Sequence, residues 1–232
     1  MSRSALRGSA ITAEIRKAQA AAATAPVDPK AAKKNAKDKA AAAAPKGAGE
    51  IRIIGGQWKR TRLPVAQRPG LRPTPDRVRE TLFNWLGQDL SGWRCLDAFA
   101  GTGALGFEAA SRGAASVQLV ESDAALVAQL HTLQQRLQAT AMRVQRGDGV
   151  AALKQAAPAS LDLVLLDPPF DSDFFTPALQ AAAQAVSAQG FVYLEAPRAW
   201  NDEELAAWGL AVYRHLKAGA VHAHLLRRVG SL

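Results

Sequence analysis

The stretch LDAFAGTGALGFEAASRG, Leu96 to Gly113, decides how the rest of the chain is read. An apolar run from Trp93 ends in an acid and a glycine turn, and a helical pattern follows at once. Glycines at 101, 103 and 106 let the backbone turn sharply and come close to a ligand. Strand, glycine turn and helix in that order open a βαβ unit. By spacing, Gly101, Gly103 and Gly106 also satisfy GxGxxG. That pattern serves nicotinamide dinucleotides and adenosyl cofactors alike, so it does not choose between them.

The same alternation repeats toward the C-terminus. Apolar strands are expected over 93–99, 116–121, 142–147, 161–167 and 190–196. Helices are expected over 101–113 after the glycine turn, over 124–139, from about Val150, and over 175–188. The last two segments, LAVYRHLKAG and AVHAHLLRRV, alternate like an antiparallel hairpin at a sheet edge. The fold class is therefore α/β, a doubly wound Rossmann-like sheet of seven mainly parallel strands. Right-handed crossovers would put the strand C-termini on one edge, where such sheets bind ligands.

Toward the N-terminus, IRIIGGQWKRTRL reads as a hairpin with Gly55-Gly56 in its turn and Trp58 to Arg62 on its second arm. In LRPTPDRVRETLFNWLG, Thr74 or Asp76 can cap a helix and Pro75 suits its first turn. Val78, Leu82, Phe83, Trp85 and Leu86 form its apolar stripe, and Gly87 ends it. The organisation expected is a disordered basic Ala/Lys-rich tail over 1–49, a hairpin and helix over 50–90, and the main α/β domain over 91–232. The tail has no aromatic residue and too little apolar surface to offset its ordering entropy.

Charge is uneven. Of the net +9, residues 1–50 carry +6, residues 51–80 another +6, and residues 81–232 the remaining −3. A polyanionic partner gripped from the N-terminal side fits this asymmetry. Trp58, Lys59, Arg60 and Arg62 interleave a ring with cations, a combination suited to stacking on bases and meeting phosphates. Arg52 and Arg72 flank them and belong to the same candidate nucleic-acid face. The single cysteine, Cys95, excludes a disulfide framework. His131, His215, His222 and His224 do not stand at metal-ligand spacing with Cys or Glu, so no metal is expected. No apolar run nears the ~20 residues of a membrane-spanning helix, and no apolar core of a secretory signal is visible. The expectation is a cytoplasmic protein, acting as a monomer and away from membranes.

Four features fall at the predicted carboxyl edge. Asp97 opens the glycine loop. Glu121 closes the second strand, where a carboxylate can accept from both hydroxyls of a ribose. Asp148, between Gly147 and Gly149, can accept from an adenine amine or be an ordinary turn acid. Asp167-Pro168-Pro169-Phe170 follows LVLL. An exocyclic amine on an aromatic ring is a poor nucleophile because its lone pair is delocalised. A carboxylate and a backbone carbonyl held rigid by prolines can accept both of its N–H groups and turn the lone pair toward an electrophilic methyl. Phe170 can stack on the base. Positioning and electrostatics then do most of the work.

With these residues in view, DAFAGTGALG and DPPF resemble class I S-adenosylmethionine-dependent methyltransferases that act on amino groups. IRIIGGQWKRTRL, GLRPTPDRVRETLFNWL, LDAFAGTGALGFEA and LLDPPF together resemble the RsmD family over about residues 51–227. The resemblance implies S-adenosyl-L-methionine as cofactor. It implies the exocyclic N2 of a guanine, position 966 of bacterial 16S rRNA in the small ribosomal subunit, as the methyl acceptor. It also implies that Asp97, Phe99, Gly101, Gly103 and Gly106 hold the methionine part, Glu121 the ribose, and Asp148 with Gly149 the adenine. Thr74 and Arg77 would lie over the cofactor, and Asp167, Pro168, Pro169 and Phe170 would receive the amine. The family has no typical counterpart to the 49-residue tail, and an amide can occur where Asp148 stands. DPPF equally permits a DNA adenine-N6 or cytosine-N4 methyltransferase. A non-catalytic RNA-binding assembly factor would keep the fold as scaffold, and GxGxxG alone would suit a nicotinamide oxidoreductase.

Overall fold

The computed structural model describes residues 49–65 and 74–230. The tail reading, apart from Gly49, and Arg72 lie outside the described residues. The elements run β1 (Glu50–Arg52), β2 (Arg62–Pro64), α1 (Asp76–Trp85), β3 (Arg94–Asp97), α2 (Ala104–Ser111), β4 (Ser116–Glu121), α3 (Ala124–Arg136), β5 (Met142–Arg146), α4 (Gly149–Gln155), β6 (Leu161–Leu166), α5 (Phe175–Ala185), β7 (Val186–Ala196), α6 (Asp202–Ala206), β8 (Leu210–Ala218) and β9 (Val221–Arg228).

β1 and β2 form an antiparallel pair of their own, and the other seven strands form one sheet in the order β5-β4-β3-β6-β7-β9-β8. β3 to β7 are parallel. β9 runs antiparallel to both β7 and β8. The strand order reverses between β3 and β6, and such a switch point opens a crevice at the strand carboxyl ends.

Side-chain alternation splits the core into two layers. On one face Cys95, Leu163, Leu165 and Tyr193 pack with Ile53, Leu63, Leu82, Phe83, Phe107 and Leu130, beneath the hairpin, α1, α2 and α3. On the other face Leu96, Val164, Leu166, Val192 and Leu194 pack with Leu153, Leu179, Ala182 and Leu205, beneath α4, α5 and α6. Near-continuous apolar strands such as LDLVLL are the sequence sign of a sheet covered on both sides.

Several expected boundaries move. Trp58 to Arg60 lie in a turn, and the second hairpin strand is Arg62–Pro64. Pro75, not Thr74 or Asp76, is the cap residue of α1, and no side chain caps that end. α5 stops at Ala185, because Val186 turns extended and pairs with Leu161. β7 therefore begins four residues before Gly190, across a register shift. α6 was not anticipated. Its Asn201 and Glu204 form a reciprocal capping box.

Candidate active site at the strand carboxyl ends

Four neighbouring strands, β4, β3, β6 and β7, end in carboxylates on one face: Glu121, Asp97, Asp167 and Glu195. The register places them together. Asp97 pairs with Leu119 and with Leu165, and Leu166 with Leu194, so Asp167 and Glu195 follow on the next rung.

Asp97 is 2% exposed and its Oδ2 accepts the Gly106 N–H at 3.0 Å. Burial pushes its carboxyl up to about 7, backbone N–H bonds from Gly106 and Phe99 pull back, and Glu121 and Glu195 push it further up. The loop it opens requires glycine. Gly103, at φ 79, is the cap residue of α2, and a Cβ there would come within 2.6 Å of Leu130 and 2.7 Å of Phe107. Gly101 donates its N–H to Glu121 Oε2 at 2.8 Å. Glu121 Oε1 accepts from Asp123 N at 2.8 Å, which turns the chain into α3. Asp148 caps α4, accepting from Ala151 N at 2.7 Å. At Gly149 a Cβ would fall 2.0 Å from the Ala98 carbonyl oxygen, so only glycine lets α4 start against β3.

Asp167 is half-buried at the end of β6. Burial raises its carboxyl well above the ordinary range, and the charges of Glu195 and Asp97 raise it further. Pro168 is buried. The Pro169 carbonyl accepts from both Ser172 N at 3.1 Å and Ser172 Oγ at 2.6 Å, which fixes the loop. Among the described residues, the exposed large apolar side chains are Phe170, Phe174 and Val229. Two of these three border the DPPF loop, and Phe174 lies 5.7 Å from Phe99, centroid to centroid. Apolar rings left in water beside a polar crevice are suited to a planar ligand.

Thr74 is buried and its hydroxyl donates to Glu195 Oε1 at 2.6 Å. Arg77 is exposed on α1. The hairpin cations do not gather at this edge as a set. Arg52 reaches Asp76 at 3.4 Å, beside Thr74. Arg62 pairs with Glu50 at 2.9 Å. The turn holding Trp58, Lys59 and Arg60 docks on the other end of α2, where Gln57 N reaches the Ser111 carbonyl at 2.8 Å and Trp58 N reaches Ser111 Oγ at 3.0 Å. Trp58, read as a base-stacking ring, is half-buried and packs edge-on to Phe107 at 6.4 Å.

Four residues escaped the sequence reading. Glu195 and Tyr193 carried a signal, since GFVYLEA ends in a carboxylate as the other strands do. Glu108 and Arg79 carried none. Both are fully buried, and Glu108 accepts from Ile54 N and Gly55 N, each at 2.8 Å, from Arg79 at 3.3 Å and from Arg112 at 2.8 Å.

Among the described residues no helix is long and apolar enough to cross a membrane, and no cluster of His, Cys, Asp or Glu could hold a metal. A cavity of about 580 Å³ lies away from the carboxyl edge, among Pro158, Ala159, Gln180, Trp208 and Arg228.

The residues present fit an adenosyl cofactor bearing a cationic amino acid. Asp97 is a buried carboxylate whose charged state burial makes costly, a cost that a cation would relieve, and the glycine loop leaves room for a close approach. The family model described as "Conserved hypothetical protein 95" matches residues 51–227. The "Ribosomal RNA small subunit methyltransferase D" of Escherichia coli (strain K12) is 51% identical over 124 residues, 53% of this chain and 62% of that protein. The chain thus spans about three fifths of that relative's length. The protein of the same name from Haemophilus influenzae is 36% identical over 183 residues, 73% of this chain and 95% of that one. Among solved structures, "Putative methyltransferase yhhF" from Escherichia coli is similar with a TM-score of 0.69 and 38% identity, over 78% of this chain and 99% of that one.

Proposed function

The chain belongs to the family of conserved hypothetical protein 95, the RsmD family, and we propose that it methylates the exocyclic N2 of a guanine in 16S rRNA of the small ribosomal subunit. The observation that carries this reading is Asp167-Pro168-Pro169-Phe170 at the switch point, one strand from Asp97 and the glycine loop. Relatives named for small-subunit rRNA methylation support the substrate.

S-adenosyl-L-methionine, when bound, supplies an electrophilic methyl group. Asp97 and the loop from Phe99 through Gly101 and Gly103 to Gly106 would hold its amino-acid end. Glu121 would hold the ribose, Asp148 and Gly149 the adenine, with Thr74 and Arg77 above. Asp167 accepts one N–H of the guanine amine. The Pro168 carbonyl accepts the other, because the Pro169 carbonyl is already taken twice by Ser172. Phe170 stacks on the base, which must be unstacked from its neighbours to enter. Asp167 accepts most strongly when ionised, so its raised proton affinity gives the reaction an acid limb.

The test offers tritiated S-adenosylmethionine to small subunits lacking the modification, followed by RNA digestion and nucleoside chromatography. Label in N2-methylguanosine is the expected result. No label in subunits or naked rRNA, from protein shown to bind the cofactor, would overturn the reading in favour of a DNA methyltransferase or a binding factor.

A further inference from the structure

Of the four carboxylates at the edge, the proposed reaction uses Glu121, Asp97 and Asp167 and leaves Glu195 without a task. Glu195 is 3% exposed. Its Oε1 receives two hydroxyls, Thr74 Oγ1 at 2.6 Å and Tyr193 at 3.0 Å. A buried carboxylate is costly to desolvate, and an apolar residue of similar size would pack β7 as well. Thr74 lies two residues before α1. Its carbonyl accepts from Arg79 Nε at 3.2 Å, and Arg79 Nη2 also donates to the Arg52 carbonyl of the hairpin at 2.9 Å. Glu195 is thus where the segment entering α1 is tied to the sheet. It is also the neighbour of Asp167, since the strands pair through Leu166 and Leu194 one residue earlier.

We propose that Glu195 is a positioning residue for methyl transfer: it fastens Thr74 over the carboxyl edge and sets the charge environment in which Asp167 receives the amine. This rests on the reading of Asp167 as amine acceptor. The groups around Glu195 are Asp167 on β6, Asp97 on β3, Tyr193 on its own strand and Arg79 on α1. On β9 its rung partner is Ala223, while His222 and His224 alternate to the other face. Burial raises the Glu195 carboxyl, and Thr74, Tyr193 and Arg79 offset only part of that rise. A negative charge there makes Asp167 hold its proton more tightly.

Two variants separate the two roles. Glu195→Gln keeps an acceptor oxygen for both hydroxyls and removes the charge. Its affinity for S-adenosylhomocysteine, by calorimetry, is expected within about twofold of the parent. Its acid limb of kcat/KM on small subunits is expected to move to lower pH by roughly one unit. Thr74→Val removes the fastening hydroxyl and should weaken S-adenosylhomocysteine about tenfold, whereas Thr74→Ser should weaken it less than about threefold. An acid limb that superimposes on the parent's, or parental affinity in Thr74→Val, overturns the proposal. If Glu195→Gln does not fold, the Thr74 pair still decides. If the parent labels no guanine, the reading of Asp167 has failed, and calorimetry still judges the fastening alone.

Discussion

Burial strains the Asp97 carboxylate electrostatically, and the sign of its effect follows from linkage. Its folded carboxyl titrates near 7 against an ordinary 3.8. The cofactor-free fold therefore binds this proton more tightly than the unfolded chain does. Asp97's contribution to stability is fully present below about pH 4 and is lost as pH rises through about 7. Three pH units correspond to about 4 kcal/mol. Asp97→Asn keeps an acceptor for the Gly106 N–H without the charge. At pH 8 the cofactor-free variant should be more stable than the parent by up to about 4 kcal/mol, and near pH 4 the two should coincide. Urea unfolding at several pH values measures this. Affinity for S-adenosylhomocysteine should fall in the same variant, since the relieving cation loses its partner. Asp167→Ala should behave in the opposite way, with turnover abolished and calorimetric affinity for the cofactor product kept. Turnover in that variant would remove Asp167 from the chemistry.

Among the elements, the hairpin depends most on a residue that nothing local announces. In GFEAASR, Glu108 and Arg112 stand four apart and read as a solvated pair on a helix. Docking of the hairpin and α1 buries Glu108: the hairpin brings the Ile54 and Gly55 N–H groups onto its carboxylate, and α1 brings Arg79. Glu108→Ala leaves the buried Arg112 guanidinium without its anion and Arg79 with Asp76 alone, at a cost of about 3–5 kcal/mol. Gly56→Ala attacks the same junction from the other side. Its backbone sits at φ 72 and a Cβ would fall 1.8 Å from the Ser111 carbonyl oxygen. Hydrogen exchange should show the amides of Ile53, Ile54 and Gln57 losing protection in Gly56→Ala, while Leu163 to Leu165 of β6 keep theirs. Equal loss in both places would mean that the hairpin and the sheet unfold as one unit.

These elements also show what a sequence can and cannot express. The order of strands and helices was legible, because the apolar period changes from 2 to 3.6 and glycines punctuate it. The edge residues Asp97, Glu121, Asp148 and Asp167 were legible because each closes or directly follows an apolar strand pattern. The start of β7 was not, because its first residues are extended only through pairing with Leu161 across a shifted register. The capping box at Asn201 and Glu204 was written in NDEE and overlooked. Glu108 and Arg79 could not have been found, since their burial is a product of docking.

At the scale of the whole molecule, the proposed function would have the basic hairpin and the carboxyl edge meet the RNA at different places. α2 returns antiparallel to the strands, so its Gly103 end is at the edge and its Ser111 end is about 12 Å away, eight residues at 1.5 Å each. Lys59 and Arg60 belong to the far end, with the docked turn. Arg52 and Arg62 are partly neutralised by Asp76 and Glu50. Lys59 and Arg60 make no ion pair with another described residue, and both are exposed. On the proposed function, phosphates touched by the turn would lie several nucleotides from the flipped guanine, and these cations would hold the RNA without touching the reaction. Each phosphate contact contributes about 0.7 to the log–log salt slope on single strands. Lys59→Ala with Arg60→Ala should flatten that slope by about 1.4 and raise KM for small subunits, with kcat at saturation unchanged. Both changes are at exposed positions, so they should leave the unfolding free energy, measured in urea, within about 0.5 kcal/mol of the parent. Arg62→Ala should flatten the slope less, because Glu50 already screens it. Slopes that coincide with the parent's would remove the hairpin turn from the RNA path. The rRNA would then be held by surfaces nearer the edge, beginning with Arg52 and Arg77.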